Sequence, residues 1–227
     1  MFNKKFYLLV WMLCFPVAYT FSATYQSYEA LYETFPNRVF DEKKTTMQYS
    51  FTDVGIPINY GKWNNINLYL SGRTIEINHQ QISPDNWYLF NNETITDTTL
   101  GTGAIVYFSA RAGFESLICI EGHPVSSSGW ESRNNTVYLI NVSKGILIKP
   151  ASLFASCLSI QSEENHKITF PAFVYYSSHT APIKELVQGV ILKEYSFSTE
   201  KHTFEDTHYR RFFKFNNQNT YDFNELQ

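Results

Sequence analysis

From residue 130 to residue 176 the chain reads WESRNNTVYLINVSKGILIKPASLFASCLSIQSEENHKITFPAFVYY, and this stretch limits the possible folds more than any other. Short apolar runs at 137–140, 146–148, 153–160 and 168–176 follow one another with little between them. Lys144-Gly145 supplies a turn, Pro150 a break, and 161–167 a polar loop. Runs this short, rich in β-branched and aromatic residues and bounded by turn formers, predict strands. The stretch reads as a β-meander with a polar loop at its tip.

The rest of the chain carries the same signal. Residues 45–51 alternate, with Thr45, Met47, Tyr49 and Phe51 on one face. Ile66, Leu68 and Leu70 alternate up to Ser71-Gly72, and Ile75 and Ile77 continue beyond it, which predicts a hairpin. Further strands are expected at 38–40, 87–90, 104–110, 115–120 and 190–197, with loops at 91–103 and 121–129. Pro57 and Gly55 break the chain after 51. Residues 24–36 fit either a short helix or an extended strand. About ten to twelve short strands, with turn residues between them, predict an all-β fold. The expected form is an antiparallel β-sandwich, immunoglobulin-like or jelly-roll-like, over 24–197. Residues 198–227 are charged and aromatic together and are expected to add an edge strand at 209–215 or to be partly disordered.

Lys4 and Lys5 precede an apolar run of 13 residues, FYLLVWMLCFPVA, and small residues follow at Thr20, Ser22 and Ala23. That is the pattern of a secretory signal peptide, over 1–23, and the run is too short to cross a bilayer. No later segment is long and apolar enough for a helical span, so the mature chain is expected to be exported without one. Of three cysteines, Cys14 leaves with the leader, and Cys119 and Cys157 remain. An even pair in an exported chain predicts one disulfide. It closes a loop of roughly 38 residues, worth about 3–4 kcal/mol.

Removal of the leader takes the net charge from −3 to −5. A mildly acidic chain lacks the attraction to phosphate that nucleic-acid binding relies on. Six histidines, at 79, 123, 166, 179, 202 and 208, show no metal-ligand spacing, and neither cysteine belongs to a CxxC pair. No nucleophile turn of the GxSxG type and no phosphate-binding glycine loop is present, so no catalytic role, metal or cofactor is expected. Glu115, Glu121, Glu131, Glu163 and Glu164 border strands and read as solvated carboxylates. Asn92, Asn134 and Asn141 open glycosylation-type triplets.

The positive signal lies in tryptophans beside amides: Trp63-Asn64-Asn65, Asp85-Asn86-Trp87 and Trp130-Glu131-Ser132-Arg133-Asn134-Asn135. A sugar needs an apolar ring for its C–H face, and amides or carboxylates for its hydroxyls. The competing reading is that each Trp closes the end of a core and the Asn residues make turns.

In order, Val137-Tyr138-Leu139, Lys144-Gly145, Ile148-Lys149, Ala151-Ser152-Leu153, Leu158-Ser159-Ile160, Gln161-Ser162 and Phe173-Val174-Tyr175-Tyr176 resemble the later part of the lectin domain of chaperone–usher fimbrial tip adhesins. The resemblance implies a sandwich that binds host glycans or glycoproteins through its loops, with a fimbrial chaperone and pilin subunits as further partners and the fimbrial cell surface as location. By position, Gln161 takes a sugar-contacting role. Glu163 stands where the family has Asn, and Asn165 is near it. Trp130, Gln161 and Asn165 are therefore the expected ligand contacts, on a surface built from 84–88, 121–135 and 161–166. The family's following pilin domain has no counterpart in the roughly 30 residues after Phe197, which contain no cysteine. Two other readings stay open: a structural or assembly subunit of a fimbrial appendage, and a secreted toxin or pore-forming protein, to which the Thr-rich 94–102 segment points.

Overall fold

A computed structural model describes residues 23–41, 44–63, 65–125, 133–163, 167–177, 187–198 and 201–226. The expected signal peptide, over 1–23, lies outside them but for Ala23. In chain order the elements are β1 (Thr24–Tyr25), α1 (Tyr28–Glu33), β2 (Lys44–Thr46), β3 (Gln48–Phe51), β4 (Pro57–Trp63), β5 (Ile66–Ser71), β6 (Thr74–Ile77), β7 (Gln80–Gln81) and β8 (Trp87–Leu89). They continue with β9 (Ile105–Phe108), β10 (Leu117–Gly122), β11 (Thr136–Asn141), β12 (Ile146–Lys149), β13 (Gln161–Ser162), β14 (Ile168–Ser177), β15 (Val187–Ser198), β16 (Thr203–Asn216) and β17 (Asn219–Leu226). The fold is all-β and sandwich-like, as expected; the described residues form three sheets, with antiparallel pairing throughout except between β12 and β8.

The middle layer is β2-β9-β10-β11-β12-β8. Its core strands are continuous apolar runs rather than alternating ones because both faces are covered. Leu117, Cys119, Val137, Leu139, Ile146 and Ile148 enter one core; their neighbours Ile118, Ile120, Tyr138, Ile140 and Leu147 enter another. On the second side lies the sheet β3-β4-β5-β6-β7, contributing Leu68, Leu70, Ile75 and Ile77. On the first side lies β1-β17-β16-β15-β14-β13, contributing Ile168, Phe170, Ala172 and Phe197. The far face of that outer sheet is closed by α1: Tyr28, Leu31 and Tyr32 pack on Phe173, Val190, Leu192, Phe213 and Phe223.

Residues 24–36 resolve both alternatives in sequence. Two residues pair with β17, then Ser27 caps α1 by accepting from Ala30 N at 3.1 Å. The alternating run 45–51 is divided at Met47: β2 joins the middle sheet and β3 joins an outer one. Residues 38–40 form no strand, only a bridge from Arg38 to Gln161.

Residues 153–160, expected as a strand, are a turn instead. Phe154 takes a left-handed φ of 52° and a 3-10 turn spans Cys157–Ser159. Glu121 holds this turn, its Oε2 accepting from Cys157 N at 2.7 Å and from the Ser156 hydroxyl at 2.8 Å. Side-chain capture of backbone donors competes with ladder formation, and here it wins. The turn brings Cys157 to Cys119, and the expected disulfide joins them across 38 positions.

Residues 198–227, expected to add no more than one edge strand, contribute β16 and β17, and β16 lies inside its sheet between β15 and β17.

Candidate functional site

Of the three expected contacts, Trp130 and Asn165 lie outside the described residues. Gln161 opens the two-residue strand β13, held between its register partner Thr169 and the bridge to Arg38. Its side chain is buried, and its Nε2 donates to Glu194 Oε2 at 3.4 Å. Together they face a cavity of about 490 Å3 that Tyr25, Phe35, Tyr209 and Arg211 also line. That volume falls in the range of small-ligand sites.

The far wall exists because β16 bulges. Lys193 pairs with Arg210 and Tyr195 with Asp206, so the single residue between them on β15, Glu194, faces three on β16, Thr207 to Tyr209. His208 sits within the bulge at φ 63°, its N–H donating to Asp206 Oδ1 at 2.7 Å. The Thr207 hydroxyl folds back onto the Glu194 backbone carbonyl at 3.1 Å and onto Oε1 at 3.2 Å. This leaves Tyr209 beside the cavity and 52% exposed.

Arg211 is fixed rather than mobile. Its guanidinium donates to both Glu225 oxygens, at 2.6 and 2.7 Å, and to Tyr25 Oη at 3.0 Å, and it lies 5.1 Å from the Phe213 ring centre. A forked pair of this kind sets the plane of the guanidinium. The Arg211 hydrogen bonds hold the Glu225 carboxyl below its ordinary range. Glu194 goes the other way: burial raises its pKa, the Glu163 charge adds to this, and the Thr207 and Gln161 hydrogen bonds oppose it. The cavity thus combines an exposed phenol ring, an amide, a desolvated carboxylate and an anchored guanidinium. Those groups can hold a polyhydroxylated ring by C–H stacking and paired hydroxyl contacts.

Among the described residues, none from 84–88 or 121–135 lines this cavity. Trp87 is partly buried against the second core and donates its Nε1 to Ile82 O at 3.3 Å. Trp63 packs edge-on to Phe108 and lies over Gly61, where any Cβ would stand 1.9 Å from its ring. Both described tryptophans therefore close a core. The Glu163 backbone N–H donates to Lys167 O at 3.0 Å.

Sequence reading missed Glu194, Tyr209 and Arg211. Their signal was a charge set inside an apolar strand pattern, in VILKEYSF and in HYRRFF. Among the described residues no cluster of three His, Cys, Asp or Glu side chains is placed to hold a metal ion, and no helix is long and apolar enough to cross a membrane. No family model matches this sequence, and no curated protein or solved structure is significantly similar to it.

Proposed function

We propose that the chain is an exported, adhesin-like glycan-binding module that attaches a cell to host saccharides through the Gln161 cavity. The observation that carries this reading is the meeting of Gln161 and Glu194 at a cavity walled by Tyr209 and anchored by Arg211. In this reading the carboxylate accepts from two sugar hydroxyls, the amide bridges a third, and Tyr209 covers the apolar face of the ring. Glu194 supplies a partly desolvated acceptor, so hydroxyl contacts to it are stronger than they would be in water. Mannose is not implied, because Glu163 stands where the resembling family carries Asn.

The reading of the chain as a fimbrial assembly subunit calls for a sheet left open for a donated strand. The far face of the outer sheet is buried by α1 of the same chain, so that face needs no donated segment to cover it. The test is a glycan array probed with the mature chain and with Gln161→Ala. Retention of one saccharide class by the wild type and its loss in the variant supports the proposal. Binding that survives Gln161→Ala unchanged removes the site, and an array with no retained glycan removes the function.

A further inference from the structure

A second cavity, of about 550 Å3, opens on the solvent face of the sheet β3-β4-β5-β6-β7 and shares no residue with the Gln161 site. Alternation builds that face. Leu68, Leu70, Ile75 and Ile77 turn into the second core, so their neighbours Tyr69 and Glu76 point away from it. On β4 the buried Asn59 and the exposed Tyr60 divide in the same way. The register then sets one rung straight across these strands: Gln48 pairs with Tyr60, Tyr60 with Tyr69, and Tyr69 with Glu76. All four residues of the rung line the cavity. Neighbouring strands lie about 4.8 Å apart, so the rung runs about 14 Å. Lys62 and Asn67 form the next rung on the same face, and His79 reaches the cavity from the turn between β6 and β7.

Among the described residues, the side chains of Gln48, Tyr60, Lys62, Tyr69 and Glu76 hold no hydrogen bond or ion pair, and neither tyrosine ring packs on another ring. They are also within reach of solvent. Gln48 and Lys62 are exposed, Tyr60 is 38% exposed, and Asn67, Tyr69 and Glu76 are half-buried. Phenol rings beside amides, a carboxylate and an ammonium give the apolar faces, donors and acceptors that a sugar calls for. A peptide finds no free ladder here, because β4, β5 and β6 are each paired on both sides. Lys62 and Glu76 carry opposite charges, so the face does not select an ion of either sign. One pyranose of an extended β-linked chain is about as long as one strand spacing, so the rung matches about three rings. The cavity volume lies in the range of ligand sites.

We propose that this face is a second saccharide site, taking a straight, neutral oligosaccharide laid across the strands, with Tyr60 and Tyr69 under successive rings and Gln48, Asn67 and Glu76 bonded to their hydroxyls. The Gln161 cavity belongs to the outer sheet on the other side of the middle layer, and failure of the one site leaves the other untouched. The test is a nuclear magnetic resonance titration of the full mature chain, observed at the Tyr60 and Tyr69 ring signals. Cellotetraose and N-acetylchitotetraose serve as straight probes, maltotetraose as a curled one, and glucose as the single-ring control. The expected result is that one straight tetrasaccharide shifts both rings at concentrations where maltotetraose and glucose do not. Tyr60→Ala and Glu76→Gln, the second of unchanged size, are each expected to weaken that probe about two- to tenfold. Gln161→Ala is expected to leave it unchanged. The proposal is overturned if neither straight probe moves these signals, if maltotetraose or glucose moves them equally, or if both variants bind like the wild type. It is also overturned if the signals follow chain concentration instead of added sugar, which would make the face a contact between copies.

Discussion

At the scale of single residues, Glu194 links the cavity to the stability of the fold. Its pKa is raised on folding, so the folded chain holds this proton more tightly than the unfolded chain does. Stability from this group is present below the unfolded value of about 4.5 and is lost as pH rises through the folded value. Glu194→Gln is therefore expected to raise the melting temperature at pH 7 and to make little difference at pH 4, measured by thermal denaturation at both. Glu225, held low by Arg211, works in the opposite sense: its contribution is present at neutral pH and is lost on acidification. Asn59 is the second informative residue. Fully buried, its Oδ1 accepts from Leu100 N at 2.7 Å and ties β4 to a loop 41 residues away. Asn59→Ala orphans that N–H and is expected to cost about 1–3 kcal/mol in urea denaturation. Neither role was legible in sequence. Glu194 lay unmarked inside the strand expected at 190–197, and Asn59 lies in β4, just past Pro57, which reads as a break. Pro57 is tolerated there as the first residue of β4, and Gly61 is required by the Trp63 ring above it.

At the scale of elements, the polar tail proves to be scaffold. The expectation of an edge strand or partial disorder followed from its charges, because a run such as Thr203–Asn216 has too few apolar residues to specify burial. Its aromatic residues are spaced to reach the face that α1 covers: Phe213 and Phe223 are fully buried against Tyr25, with ring centres at 6.0 and 5.6 Å. Phe223→Ala is expected to destabilise the fold by about 3–5 kcal/mol, read from the denaturation midpoint; a loss below 1 kcal/mol would return the tail to a peripheral role. The 153–160 turn shows the reverse error. Its composition is strand-like, but Glu121, 35 residues away from Ser156, captures its backbone and seats Cys157 against Cys119. Pairing of the two cysteines was legible from their even number and the leader-like pattern at the N-terminus; the turn that makes it possible was not. Replacing both by Ala is expected to cost about 3–4 kcal/mol, with the fold otherwise retained.

At the scale of the molecule, the middle sheet explains why the class of fold was readable. A sheet covered on both faces needs apolar residues at successive positions, and LICI, VYLI and ILI carry that requirement in plain form. The outer sheet β3-β4-β5-β6-β7 alternates, and the order of the strands came only from tertiary structure. The same holds for the candidate site: Gln161 was singled out by the resemblance of 137–176 to adhesin lectin domains, but the residues it meets come from β15 and β16, more than thirty positions further along. Local patterns report on pairing and burial, and they carry little about which distant strand ends up opposite a given side chain. The account rests on the Gln161 cavity as a saccharide site. Its most direct measurement is chemical-shift mapping of the mature chain with the saccharide retained on the array, observed at the Gln161 side-chain amide and the Tyr209 ring. The account predicts saturable shifts at both, abolished in Glu194→Gln; shifts confined to other surfaces, or unchanged in that variant, would contradict it.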